Sequence, residues 1–194
     1  SLPYELCVTN VLTMLDLAGI PLHGADRGWE HPLIIAGDAL ADTPEPMADF
    51  IDVFLVGDGE ATLPGLIEQV RQAKREGSSD RRELLLRIAR GVAGAYVPSL
   101  YQPYELGDGV NLQPVRPVRD DVPPTVIHAH LGRLSDSPAI RRPLVPVAEA
   151  VHDRAVVEIM RGCPNACRFC QAGHTRLPVR TRSVEEIIDI ARDA

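Results

Sequence analysis

Nine of the chain's 17 prolines fall between Pro98 and Pro146. Each removes a backbone donor and fixes φ, which rules out a long helix across that stretch. The remainder reads as two arms, residues 1–94 and 151–194, joined by a connector over residues 95–150. Short strands are expected in the connector at Ala95–Tyr101 and Val126–Ala129. His128 and His130 would share one face of the second strand. No Cys, Asp or Glu stands at ligand spacing from them, so no metal site is read there.

In the first arm, Leu6, Val8, Val11, Leu12, Leu15 and Ala18 recur at helical spacing, with Gly19 as a C-terminal stop. Cys7 belongs to this helix and reads as a small buried hydrophobe. Leu33–Ala36 and Val53–Val56 are short apolar runs that read as buried strands. They end in Gly37-Asp38 and Gly57-Asp58-Gly59-Glu60, and Pro44–Phe50 allows one short helix between them. Amphipathic helices follow over Thr62–Lys74 and Asp80–Arg90, the second with Asp80 as N-cap and Glu83 three residues on. This order is that of an α/β domain with a parallel sheet, whose ligands lie beyond the carboxyl ends of the strands. Gly37, Gly57 and Gly59 all fall there and allow close backbone approach. Asp58 and Glu60 would repel phosphate, and are expected instead to cap and complement the positive end of the following helix.

The second arm holds three of the four cysteines, Cys163, Cys167 and Cys170, at the spacing C-x3-C-x2-C. Soft thiolates suit iron–sulfur chemistry. Three of them leave one iron of a [4Fe–4S] cluster without a protein ligand, the open position that marks catalytic rather than structural metal sites. Ala155–Met160 is expected to be the strand that delivers Arg161-Gly162 to this loop. Ser183 as N-cap and Glu186 at N3 open a helix through Ile187, Ile188 and Ile190. Strand, loop and helix make one β/α unit with its chemistry at the strand's carboxyl end. From Arg161 to Val184 there are five arginines (Arg161, Arg168, Arg176, Arg180, Arg182) and no acid. They are expected to lower the thiolate pKa values and offset cluster charge, or else to form a solvated basic face. Two other readings of the loop stand beside the catalytic one. An electron-transfer site would need a fourth cysteine that the loop lacks, and a zinc site would need His174 as fourth ligand.

A hydrophobic content of 45% and a net charge of −7, with a mean hydropathy of −0.04, describe an ordinary soluble protein with no membrane span. They argue against general nucleic-acid affinity. Clustered cysteines are no disulfide framework, so a reducing, cytoplasmic setting is expected. The chain begins at Ser1 rather than Met and ends inside an expected helix, and is read as a fragment of a longer protein.

The cysteine spacing behind a strand, with Phe169 just before the last cysteine, resembles the radical S-adenosylmethionine superfamily. Further stretches resemble a bacterial subgroup of these enzymes with a B12-binding-type domain ahead of the barrel. They are Ala36-Gly37, Pro44-Glu45-Pro46, Gly57-Asp58-Gly59-Glu60, Val151-His152-Asp153-Arg154, and Gln171-Ala172-Gly173 followed by Pro178-Val179-Arg180. The resemblance implies an α/β chain. A partial Rossmann-like, B12-binding-type parallel sheet would occupy 1–94, and the first β/α unit of a partial TIM barrel would occupy 151–194. By the same resemblance Cys163, Cys167 and Cys170 ligate a [4Fe–4S] cluster that chelates S-adenosyl-L-methionine. One electron then cleaves the sulfonium to methionine and a 5′-deoxyadenosyl radical. Phe169 would pack near the adenine, with Gly37, Gly57 and Gly59 at a cofactor site. The partners would be a substrate not specified by these residues and an electron donor such as flavodoxin or ferredoxin. Cobalamin stays open: Asp38 stands where relatives carry a second glycine, while the Asp-x-His-x-x-Gly loop of such domains would precede Ser1, so that its absence from these residues is uninformative. Later barrel strands would lie beyond Ala194, so this stretch alone is expected to be inactive.

Overall fold

The computed structural model describes residues 1–104, 114–144, 147–148 and 154–194. Val151–Asp153, part of one stretch quoted above, lie outside them. The chain divides into two units, Ser1–His130 and Leu131–Ala194.

In the first unit, helix α1 spans Val8–Leu17 behind a 3-10 turn at Glu5–Cys7. Its end follows the expected stop, with Gly19 at φ +65°. Strands β1 (Ile35–Gly37) and β2 (Val53–Leu55) pair in parallel, Ile35 opposite Val53 and Gly37 opposite Leu55. Pro44–Phe50 contributes a 3-10 turn at Glu45–Met47 rather than an α-helix. Helices α2 (Gly59–Arg75) and α3 (Arg81–Gly91) follow, with the Asp80 carboxylate accepting from the Arg82 and Glu83 amides.

The two strands expected in the first arm pair in parallel as read, but a third strand from the connector makes the sheet mixed. Strand β3 (Ala95–Tyr96) lies antiparallel on the far side of β2, giving the order β1-β2-β3. The helix count explains the reversal. One crossover helix returns a chain to the start of the previous strand, whereas α2 and α3 together bring it back to the carboxyl end of β2. Consistent with that, the Val56 amide donates to the Gly94 carbonyl. The expected strand Ala95–Tyr101 is broken after Tyr96 by a 3-10 turn at Pro98–Leu100, and β4 (Tyr101–Pro103) pairs instead with β5 (Val115–Pro117) in a separate ribbon.

The sheet is covered on both faces, as unbroken apolar strands require. Val53 and Leu55 point to α2 and α3, packing with Leu66, Ala73, Leu84, Ile88 and Val97. Phe54, Ala36 and Tyr96 point the other way, onto Leu2, Leu40, Met47 and Ile51, and Cys7 of the expected α1 face packs there too.

A buried ion network that the sequence reading missed fixes the loop before β1. Asp52 Oδ2 accepts from Arg27 NH1 (3.1 Å), Arg81 NH2 (2.9 Å) and the Ile34 amide (2.7 Å). The two guanidiniums also donate to the carbonyls of Pro21, Leu22, Gly28, His31, Pro32 and Phe50. Loop carbonyls that would otherwise be buried without donors are thereby satisfied.

In the second unit, β6 (Met160–Arg161) pairs antiparallel with β7 (Arg180–Thr181). Then come a single turn, α4 (Ala172–Thr175), and helix α5 (Val184–Asp193), which starts as expected with Ser183 Oγ accepting from the Glu186 amide at 3.1 Å. The expected strand Ala155–Met160 is present only at its last residue. The Ile159 carbonyl still accepts from the Arg182 amide at 3.0 Å, but residues 155–158 find no strand partner among the described residues, and a strand without a neighbour is not stable on its own.

Candidate functional site

The cysteine loop is closed at its base by β6 and β7, with Met160 opposite Thr181 and Arg161 opposite Arg180. Gly162 follows at φ +88°, and a Cβ there would overlap the Arg176 carbonyl oxygen. At the loop's far side Gly173 is buried, and a Cβ on it would overlap the Asn165 carbonyl oxygen. Two glycines thus let the chain fold back on itself on either side of the cysteines.

All three thiols are free, Cys167 exposed and Cys163 and Cys170 half-buried. The Cys167 amide donates to the Asn165 carbonyl at 2.9 Å, and the Cys170 amide to the Cys167 carbonyl at 3.1 Å. The donor set therefore suits a soft metal or an iron–sulfur cluster. Among the described residues, though, no three His, Cys, Asp or Glu side chains are arranged to hold a metal ion. Convergence of the thiols is not built into the chain's own contacts. Phe169 is 93% exposed at the tip of the loop.

The arginines act differently from the expectation. Arg182, 6% exposed, donates to the carbonyls of Glu158 (3.1 Å) and Ser137 (3.0 Å) and pairs with Glu186. Arg180, 7% exposed, donates to Pro178 and Leu131 carbonyls. Arg161 pairs with Glu158 at 2.7 Å and reaches Ser137 Oγ at 3.0 Å. Three of the five are structural ties. Their counter-charges, Glu158 and Glu186, sit just outside the acid-free stretch, which is why that stretch looked unpaired.

At the carboxyl ends of the strands, Gly37 closes β1 and its carbonyl accepts from the Leu2 amide. Asp38 adopts φ +85°, a glycine-like conformation, and its carboxylate turns onto the Ala39 amide and Ser1 Oγ. Gly57, at φ +126°, lies against the backbone of Ala129, with which it forms a parallel bridge. A Cβ on Gly57 would overlap the Ala129 carbonyl, so the space above this glycine is filled by the chain itself. This bridge is all that forms of the expected strand Val126–Ala129. Gly59 starts α2 with open space around it. Asp58 holds the N-cap position, but through its backbone carbonyl, which accepts from the Ala61 and Thr62 amides. Its side chain makes no cap bond, contrary to the expectation. Nearby, the Tyr96 hydroxyl donates to Glu45 of the Pro44-Glu45-Pro46 stretch, and burial together with that bond pushes the phenol pKa up. These strand-end glycines belong to the first unit, and the cysteines to the second.

Residues 1–98 match the family described as radical SAM proteins, N-terminal. The chain belongs to that family. No curated protein and no solved structure matches it. In this radical SAM protein the family match stops well short of the cysteine loop, so the two are separate observations. The sheets of the radical SAM chain are open, with no closed barrel among the described residues, and no helix of those residues is long and apolar enough to cross a membrane. Ala129 covers Gly57, so this glycine offers no open face to a cofactor such as cobalamin.

Proposed function

We propose that the chain binds a [4Fe–4S] cluster through Cys163, Cys167 and Cys170 and serves radical S-adenosylmethionine chemistry in the protein it belongs to. The observation that carries this reading is a C-x3-C-x2-C loop of free thiols on a chain whose first half independently belongs to a radical SAM family. When bound, such a cluster supplies the electron for cleavage of S-adenosylmethionine to methionine and a 5′-deoxyadenosyl radical. The chain's own residues do the holding. Three thiolates ligate, Gly162 and Gly173 fold the loop, Arg161 and Arg182 brace its base, and exposed Phe169 offers an apolar face to the adenine. The electron would come from a carrier of flavodoxin or ferredoxin type.

Anaerobic reconstitution with iron and sulfide tests the proposal. Expected is a brown species with about four irons per chain, whose reduced EPR signal shifts when S-adenosylmethionine is added. Stoichiometric zinc and no cluster, or a cluster indifferent to S-adenosylmethionine, would overturn it.

A further inference from the structure

The turn α4 makes two contacts that share a target, the cysteine loop's backbone. Gly173 seats under the Asn165 carbonyl. One residue on, His174 Nε2 lies 3.2 Å from the Cys167 carbonyl oxygen. A carbonyl only accepts, so the ring proton of this contact sits on Nε2. The same carbonyl accepts from the Cys170 amide at 3.1 Å. Two donors on one oxygen fix the orientation of the peptide plane between Cys167 and Arg168, and one of them ties Cys167 to the backbone of Cys170.

We propose that His174 is a positioning residue for the cysteine loop: it pins the Cys167 carbonyl and so limits the movement of the backbone that carries the second of the three proposed ligands. The inference deepens the cluster reading and rests on it. The role asks nothing of His174 as a fourth ligand, since the contact through Nε2 acts on backbone rather than on a metal. A ring that donates to a ligand's backbone orients it without supplying a donor to the metal, as outer partners of metal ligands generally do.

The test uses the 194-residue chain as wild type, His174→Ala and His174→Gln, since a glutamine amide reaches about where imidazole Nε2 does. Two readouts are taken. The first needs no cluster: trypsin cleavage after Arg168, which is exposed beside the pinned carbonyl. The second follows loss of cluster absorbance when a chelator is added to the reconstituted chain. His174→Ala is expected to be cut faster after Arg168 and to lose its cluster about three- to tenfold faster, the worth of one hydrogen bond. His174→Gln is expected to restore both rates, with far-ultraviolet circular dichroism unchanged throughout. Equal rates for wild type and His174→Ala overturn the inference, as does one zinc per wild-type chain that His174→Ala abolishes. If wild type takes up no cluster, the function proposed above fails, while the trypsin comparison still decides the role of His174.

Discussion

Asp52 shows how one side chain can carry a loop. Its single carboxylate faces two buried guanidiniums, with side-chain exposures of 0% for Arg27, 8% for Arg81 and 2% for Asp52 itself. Removing the charge leaves two cations in a low-dielectric site with no counter-ion, which costs far more than an exposed ion pair would. Asp52→Asn should therefore destabilise the first unit by about 3–5 kcal/mol, read as a lowered urea midpoint. A surface change such as Arg75→Ala, at a pair exposed on both sides, should shift stability by less than about 1 kcal/mol. Nothing in the sequence marks Asp52. It immediately precedes the apolar run Val53–Val56 and looks like any polar residue at the start of a strand, because its partners lie 25 and 29 positions away.

At the scale of elements, legibility followed locality. Helix α3 and helix α5 start where Asp80 and Ser183 stand, since a cap and its amides are neighbours in the chain. The cysteine spacing is local as well. Strand direction is not: β3 runs antiparallel because two helices rather than one precede it, and β7 was missed because its two residues become a strand only by pairing with β6. The ties of Arg161, Arg180 and Arg182 are hidden for the same reason, their acceptors being the Glu158 and Glu186 carboxylates, Ser137 Oγ and backbone carbonyls that composition does not display. The packing of α4 on the loop carries a prediction at this scale. Gly173→Ala places a methyl group where the Asn165 carbonyl now sits, and overpacking of this kind costs about 1–3 kcal/mol. Trypsin cleavage after Arg168 should accelerate, while hydrogen exchange of the first unit's sheet stays unchanged.

Across the whole molecule the two units differ in how much they bury. The first has apolar layers on both faces of its sheet. In the second, the described buried apolar side chains are Leu134 and Ile190, accompanied by buried Arg180 and Arg182, while Val156, Ile159, Met160 and Phe169 are exposed. Stability scales with the apolar area removed from water. Amide exchange in the metal-free chain should accordingly be slow in β1, β2 and α3 and fast through residues 160–181, and the two units should not melt in one transition. Uniform protection across both would contradict this. Cluster binding would then supply order that the second unit's small core does not, as ligand binding to a loosely folded site generally does.

Unequal exposure of the three thiols has a practical corollary for storage in air. Oxidation of a thiol follows its access to solvent, and Cys167 is the exposed member of the set. Sulfenic acid at that one sulfur would, until it condenses with a neighbouring thiol, leave Cys163 and Cys170 reactive toward thiol reagents, yet remove the middle one of the three proposed ligands. A preparation assayed by total free thiol would then still read three of its four cysteines while the proposed set of three ligands was already incomplete.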